Sequence, residues 1–184
     1  MYKVINMKRG VSSIEYLFLI AVALVIVLFV IHQLAVMTSD YTAVMEAISN
    51  EIAQELANQS CNGTSEVVIY YVHYDAQGWD HSNLNDEYVV IANLGCLDEN
   101  LGGWRLVDEK GHTYIFPSEF ILKAGKTVTV HTGSGTDTDT DLYWGEKSAV
   151  WNNDGDTAYL YDASGNLVDS CSWTGKEGGA VSCH

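Results

Sequence analysis

The pattern of apolar and polar positions changes twice along the 184-residue chain. Residues 16–31, YLFLIAVALVIVLFVI, carry no charged or strongly polar side chain. A helix over this run spans roughly 24 Å at about 1.5 Å per residue, and extension through His32 and Gln33 to Met37 takes it past a bilayer core of about 30 Å. The pattern then turns amphipathic. Residues 41–57 contain no Gly or Pro and place Val44, Ile48, Ile52 and Leu56 four apart, with Glu46, Glu51 and Glu55 turned elsewhere. The two stretches predict a long helix within residues 11–60, apolar and long enough for a membrane in its first half. Its second half has too narrow an apolar face for lipid and must pack on its own head domain or on a neighbouring copy.

From about Ser65 the period shortens to two. β-Branched and aromatic residues alternate with Gly, Asn and Asp, which predicts an all-β head over residues 61–184. Strands are expected at residues 66–74, 87–93, 104–108, 113–116, 127–132, 157–162 and 167–173, spaced as in an antiparallel β-sandwich. The only proline, Pro117, follows a strand, where its missing N–H does no harm. The helix and head are joined by NQSCNGT at 58–64, polar and turn-forming. It holds two Asn-x-Ser/Thr acceptors, Asn58 and Asn62, which would be available for glycan outside a cell.

Charge narrows the setting. The formal net charge is −15, and the cations Lys3, Lys8 and Arg9 all precede the apolar run. Such a chain repels nucleic acid and anionic headgroups, which argues against nucleic-acid binding. Basic residues ahead of the run place the N-terminus in the cytoplasm and the head outside. The four cysteines, Cys61, Cys96, Cys171 and Cys183, form no CxxC pair and no zinc-ligand spacing. In an exported domain their even number favours two disulfides, with all three connectivities open.

The head resembles the lamin-tail domain, an immunoglobulin-like β-sandwich. The matching stretches are NDEYVVIAN at 85–93, LGGWRLVD at 101–108, Phe116-Pro117, LKAG at 122–125, Val128-Thr129-Val130, WNNDGDT at 151–157 and LYDASG at 160–165. Lys123 stands where that family often has proline. The resemblance implies a topology but little function, because sandwiches of this kind host many roles.

The N-terminus resembles the archaeal class III signal peptide of type IV pilin-like proteins. The carrying residues are Lys8, Arg9, Gly10 and Val11, then Ser13 and Glu15 ahead of the apolar helix. The resemblance implies that residues 1–10 are a leader which a prepilin peptidase removes between Gly10 and Val11, leaving Ser13 third and Glu15 fifth. A carboxylate at the start of an apolar helix costs on the order of a few kcal/mol in hydrocarbon unless neutralised. In that family its partner is the new N-terminal amine of the adjacent subunit, which couples processing to self-assembly through the helix. A plainer reading also fits. Ser12 to Glu15 forms a capping box, and Glu15 then merely starts an uncleaved anchor.

Chemistry in the head is sparse. Asp137, Asp139 and Asp141 recur at every second position, a spacing that converges on Ca²⁺ in an extended loop. They depart from an EF-hand loop, whose sixth and twelfth positions would be Leu142 and Ser148 instead of Gly and Glu. Asp154 and Asp156 are further candidate ligands, and the alternative is a solvated acidic loop beside a tight turn. His73, His81, His112, His131 and His184 have no HxH or HxxxH spacing and no accompanying nucleophile motif. The head is therefore read as non-enzymatic, with no catalytic residue and no cofactor beyond that Ca²⁺ candidate. Trp104 and Trp173 are expected in the core, Trp144 and Trp151 closing the long loop, and Trp79 at a partner contact. The expected function is a pilin-like cell-surface filament subunit whose head contacts an unidentified surface ligand. The alternative is a binding module held at the membrane by an uncleaved helix.

Overall fold

A computed structural model describes residues 13–58, 63–78 and 83–184. Lys8, Arg9, Gly10, Val11, Cys61, Asn62, Trp79 and His81 lie outside the described residues. The chain divides into two compact units, one up to Ile48 and one over Ser49–His184.

The helix α1 runs Ser13–Asn58. Leu24, Val25, Ile26, Val27, Leu28 and Phe29 are consecutive, and each is more than half exposed. At about 3.6 residues per turn they point in every direction around the axis, so this stretch has no polar face. Among the described residues no helical run is long and apolar enough to cross a membrane; in this half of α1 the residues described to the side chain are 21, 22, 24–29, 31 and 32. In the amphipathic half Ile48 and Ile52 are buried, while Glu46 and Glu51 are exposed. The spacing of four therefore has its physical consequence at these two positions.

The head is a sandwich of two sheets. One has the order β11-β1-β2-β7-β8, with β1 Val67–His73, β2 Tyr88–Asn93, β7 Thr127–His131, β8 Asp141–Tyr143 and β11 Ala180–Ser182. The other has the order β10-β9-β4-β5, with β4 Arg105–Val107, β5 Thr113–Ile115, β9 Asp156–Tyr161 and β10 Leu167–Trp173. A small pair, β3 Glu99–Asn100 and β6 Ile121–Leu122, lies outside both. Alternate residues meet in the core: Val89 and Ile91 from β2, Val128 and Val130 from β7, Leu106 from β4 and Leu160 from β9. Full burial of side chains of this kind contributes about 2 kcal/mol each.

The sheets are not wholly antiparallel, as the strand spacing had suggested. β7 and β8 run parallel, with Thr129 opposite Asp141 and His131 opposite Tyr143. A short returning strand allows this because it follows the segment 132–140, which carries the chain back beside β7 rather than turning tightly. β1 also carries a bulge between Ile69 and Tyr71. The Ile69 N–H next to it donates to Asp169 Oδ2 of β10 at 2.7 Å, a tie between the sheets.

Buried polar side chains fasten the connections. Glu87 is 1 % exposed, and its Oε1 accepts the backbone N–H groups of Val150 at 2.9 Å and Trp151 at 2.6 Å. Asn93 donates to the Leu97 and Leu122 carbonyls and accepts from the Glu66 and Gly95 N–H groups. The buried Asn93 amide thus has partners on both of its polar atoms, as burial requires. Cys171 and Cys183 form a disulfide joining β10 to the C-terminal segment, with Cα atoms 5.7 Å apart. Cys96 is disulfide-bonded as well.

Candidate functional site

One row of register partners crosses the five-stranded sheet on its outer face. His73 lies opposite Tyr88, Tyr88 opposite His131, and His131 opposite Tyr143. Their rings form a ladder, with centroids 5.1, 5.7 and 4.9 Å apart, the first and last steps stacked. Tyr71 joins it 6.2 Å from Tyr88. Period-two alternation puts these rings opposite the core-facing Val72, Val89 and Val130. Tyr88 and His131 are nevertheless buried.

Two loops cover them. The 3₁₀ turn Leu84–Asp86 brings its carbonyls to the ladder: His131 Nδ1 lies 2.7 Å from Asn85 O, and His73 Nδ1 meets Asp86 O. The segment 132–140 closes from the other side, with Thr132 N–H donating to Glu87 O and Gly133 N–H to Leu84 O. Asn85 Nδ2 donates to Ser134 O at 3.1 Å. Glycine is needed here for close approach: a Cβ on Gly135 would stand 2.4 Å from the Tyr143 ring, and one on Gly133 2.2 Å from Asn85 Oδ1.

The three alternating aspartates are divided among separate tasks. Asp141 Oδ1 lies 3.0 Å from His131 Nε2, and its Oδ2 accepts from Thr140 Oγ1 at 2.7 Å. Asp137 Oδ1 accepts the Tyr143 N–H at 3.0 Å, and Asp139 is exposed. No group of three or more His, Cys, Asp or Glu able to hold a metal occurs among the described residues. Asp156 is likewise turned inward. Its Oδ1 accepts the N–H groups of Glu109 and Thr157, and its Oδ2 those of Asn152 and the Asn152 amide.

The aspartate between His131 and Thr140 has the members of a catalytic relay in the wrong order. Activation needs the hydroxyl on the imidazole, whereas Thr140 donates to the carboxylate. Both nitrogens of His131 face oxygens, Nδ1 that of Asn85 and Nε2 that of Asp141. The cluster is a clasp that holds two loops onto a ring ladder. Its rim is acidic and phenolic: burial, then Asp86, pushes Tyr71 above the usual tyrosine range, and burial, then Asp141 and Asp137, does so for Tyr143.

The other sequence candidates are scattered. Ser13 and Glu15 fall in the first turn of α1, and Asn58 is its last residue. Trp151 and Trp173 are core, whereas Trp104 and Trp144 are only partly buried against it; the expected division of the tryptophans was wrong for Trp104 and Trp151. The ladder itself was missed, since each ring alone reads as an ordinary strand residue. Only the register aligns them.

The glycine pair ahead of β4 sits at a close approach of backbones. A Cβ on Gly102 would stand 2.1 Å from Ser118 O, so this backbone crossing excludes every side chain. The Asn152 to Asp156 turn closes the same sandwich with the hydrogen bonds just described. A comparison with known protein families matches the lamin tail domain over residues 61–175. The chain belongs to the lamin tail domain family. The lamin tail domain is a general immunoglobulin-like module, so membership fixes the architecture of the head and leaves function to particular surfaces.

Proposed function

We propose that this protein is an archaeal-type, pilin-like subunit of a cell-surface filament, in which α1 assembles the polymer and the lamin tail domain faces outward for adhesion or surface contact. The observation that carries the reading is the unbroken exposure of Leu24 to Phe29 around α1. A helix apolar on all sides is stable only when surrounded, by lipid or by other helices. Both surroundings occur in sequence here: the precursor is held in the membrane with its head outside, and the processed chain enters a helical core. Lys8, Arg9, Gly10 and Val11 supply the site for a prepilin peptidase, and Ser13 and Glu15 follow at the positions such helices use. The acidic, disulfide-bonded head suits an extracellular surface, where Asn58 and Asn62 are acceptors for glycan.

The test is coexpression of the full chain with and without a prepilin peptidase. Filaments should appear by electron microscopy only with the enzyme. Glu15→Ala should be processed yet fail to polymerise, because no carboxylate meets the neighbouring amine. Abundant filaments from unprocessed chain, or from Glu15→Ala, would sink the reading. A second reading is favoured by the sequence Ser12-Ser13-Ile14-Glu15, which fits a capping box. In it the helix is an uncleaved anchor and the lamin tail domain a tethered binding module, found as membrane-bound monomers.

A further inference from the structure

We infer that the outer face of the β10-β9-β4-β5 sheet docks a second copy of this chain, which presents acidic surface to Arg105. The inference rests on the filament reading above. Leu106, Leu160 and Tyr114 are register partners and point into the core, so the alternate residues of these strands face out. Leu167, Tyr161, Arg105 and Ile115 line up as one outward row across all four strands. Ser170, Tyr159, Val107 and Thr113 form the next.

Neither row contains a carboxylate, in a chain with 24 acidic residues against nine Lys and Arg. Ile115 is 61 % exposed and Leu167 54 %, with Val168 beside it at 40 %. These two rows are thus an acid-free strip in an acidic coat, bounded at the next row by Glu109, which accepts from Thr157 Oγ1. Exposed apolar side chains on either side of a cation offer an interaction surface.

Arg105 gives the window its sign. Its guanidinium carbon lies 5.7 Å from the centre of the Tyr161 ring. Its far nitrogen packs on the turn at Gly165, where a Cβ would stand 3.3 Å away. Tyr159 flanks Tyr161 with ring centres 6.3 Å apart. Among the described residues no ion pair includes Arg105. An arginine held on a ring and left without a carboxylate loses little freedom when one arrives from outside.

Charge selects the occupant. Two copies of a chain at −15 repel one another over most of their surface. With a screening length of about 8 Å at physiological salt, local composition decides where they can touch. The two acid-free rows are where an acidic neighbour is admitted and where its carboxylate finds a cation. Because the face meets a different surface of the next copy, the contact runs head to tail and propagates along a helical filament instead of closing a dimer.

The test uses the processed, assembled protein carrying Ile115→p-benzoylphenylalanine, with Leu167→p-benzoylphenylalanine as a second position on the opposite edge of the sheet. Irradiation should give covalent dimers whose cross-linked peptide comes from the head of another copy. Adding Arg105→Glu should cut that yield at least tenfold, while Arg105→Lys retains most of it. Intact filaments with no inter-chain product from either position, or with the reagent joined to a different protein or a carbohydrate, would overturn this face as the contact. Wild-type chain that forms no filaments at all would instead bring down the filament reading beneath it.

Discussion

Replacing Asp156 by Ala would strip three backbone N–H groups and the Asn152 amide of their acceptor in a site that is 3 % exposed. Unsatisfied buried donors cost about 1–3 kcal/mol each, so a loss of about 3 kcal/mol or more is expected in denaturant unfolding. A change under about 0.5 kcal/mol would mean that the turn is held elsewhere. His131→Phe keeps a ring between Tyr88 and Tyr143 but removes the bonds to Asn85 O and Asp141. Amide exchange in residues 83–87 and 132–140 should rise while the strands stay protected. At the surface, the Lys123 ammonium, then the Ala124 N–H, holds the Asp98 carboxyl below the usual carboxylate range. The Asn166 side chain and then its N–H do the same for Asp162. A depressed carboxyl stabilises the fold above the ordinary carboxylate range, and that contribution fades as pH falls through the lowered value. Carboxyl carbon shifts followed by NMR should therefore move late for both on acidification, and an ordinary titration for either would contradict the geometry.

At the scale of elements, the segment 132–140 is held by contacts that only glycine permits. Gly135→Ala forces a Cβ into the Tyr143 ring, and relieving it should cost about 1–3 kcal/mol. The near-parallel stacking of His131 on Tyr143 should be lost in the same variant. The Cys171–Cys183 disulfide ties the last strand to β10 across a separation of 12 residues. Cys171→Ser with Cys183→Ser should lower stability by about 3 kcal/mol and free β11; unchanged exchange protection at Val181 and Cys183 would argue that pairing with β1 alone suffices. These devices were only partly legible in the sequence. β10, Leu167–Trp173, follows directly from its turn-bounded pattern, and most other expected strands differ from the observed ones by a residue at the ends. β3, β6, β8 and β11 are two or three residues long, too short to show a period, and their pairing is imposed by tertiary contacts. Trp151 could not be placed from its neighbours because its burial is fixed by Glu87, 64 positions away. Asp156 read as a metal-ligand candidate since a carboxylate in a turn looks alike whether it faces a cation or backbone amides. Arg105 and Tyr161 become a pair only once β4 and β9 are in register.

At the scale of the whole molecule, the head and the helix answer different questions. The lamin tail domain accounts for stability and for the two outer faces, one clasped over a ring ladder, the other open around Arg105 and two acid-free rows. The apolar surface around α1 needs a cover, of lipid or of other helices. The proposed filament turns on the bond between Gly10 and Val11, since cleavage there would create the amine that this reading pairs with Glu15 of a neighbouring subunit. The most direct measurement is the N-terminal residue of the native protein, determined by mass spectrometry of its terminal peptide. A mature chain beginning at Val11 is the expected result, and retention of residues 1–10 would contradict the account at its first step.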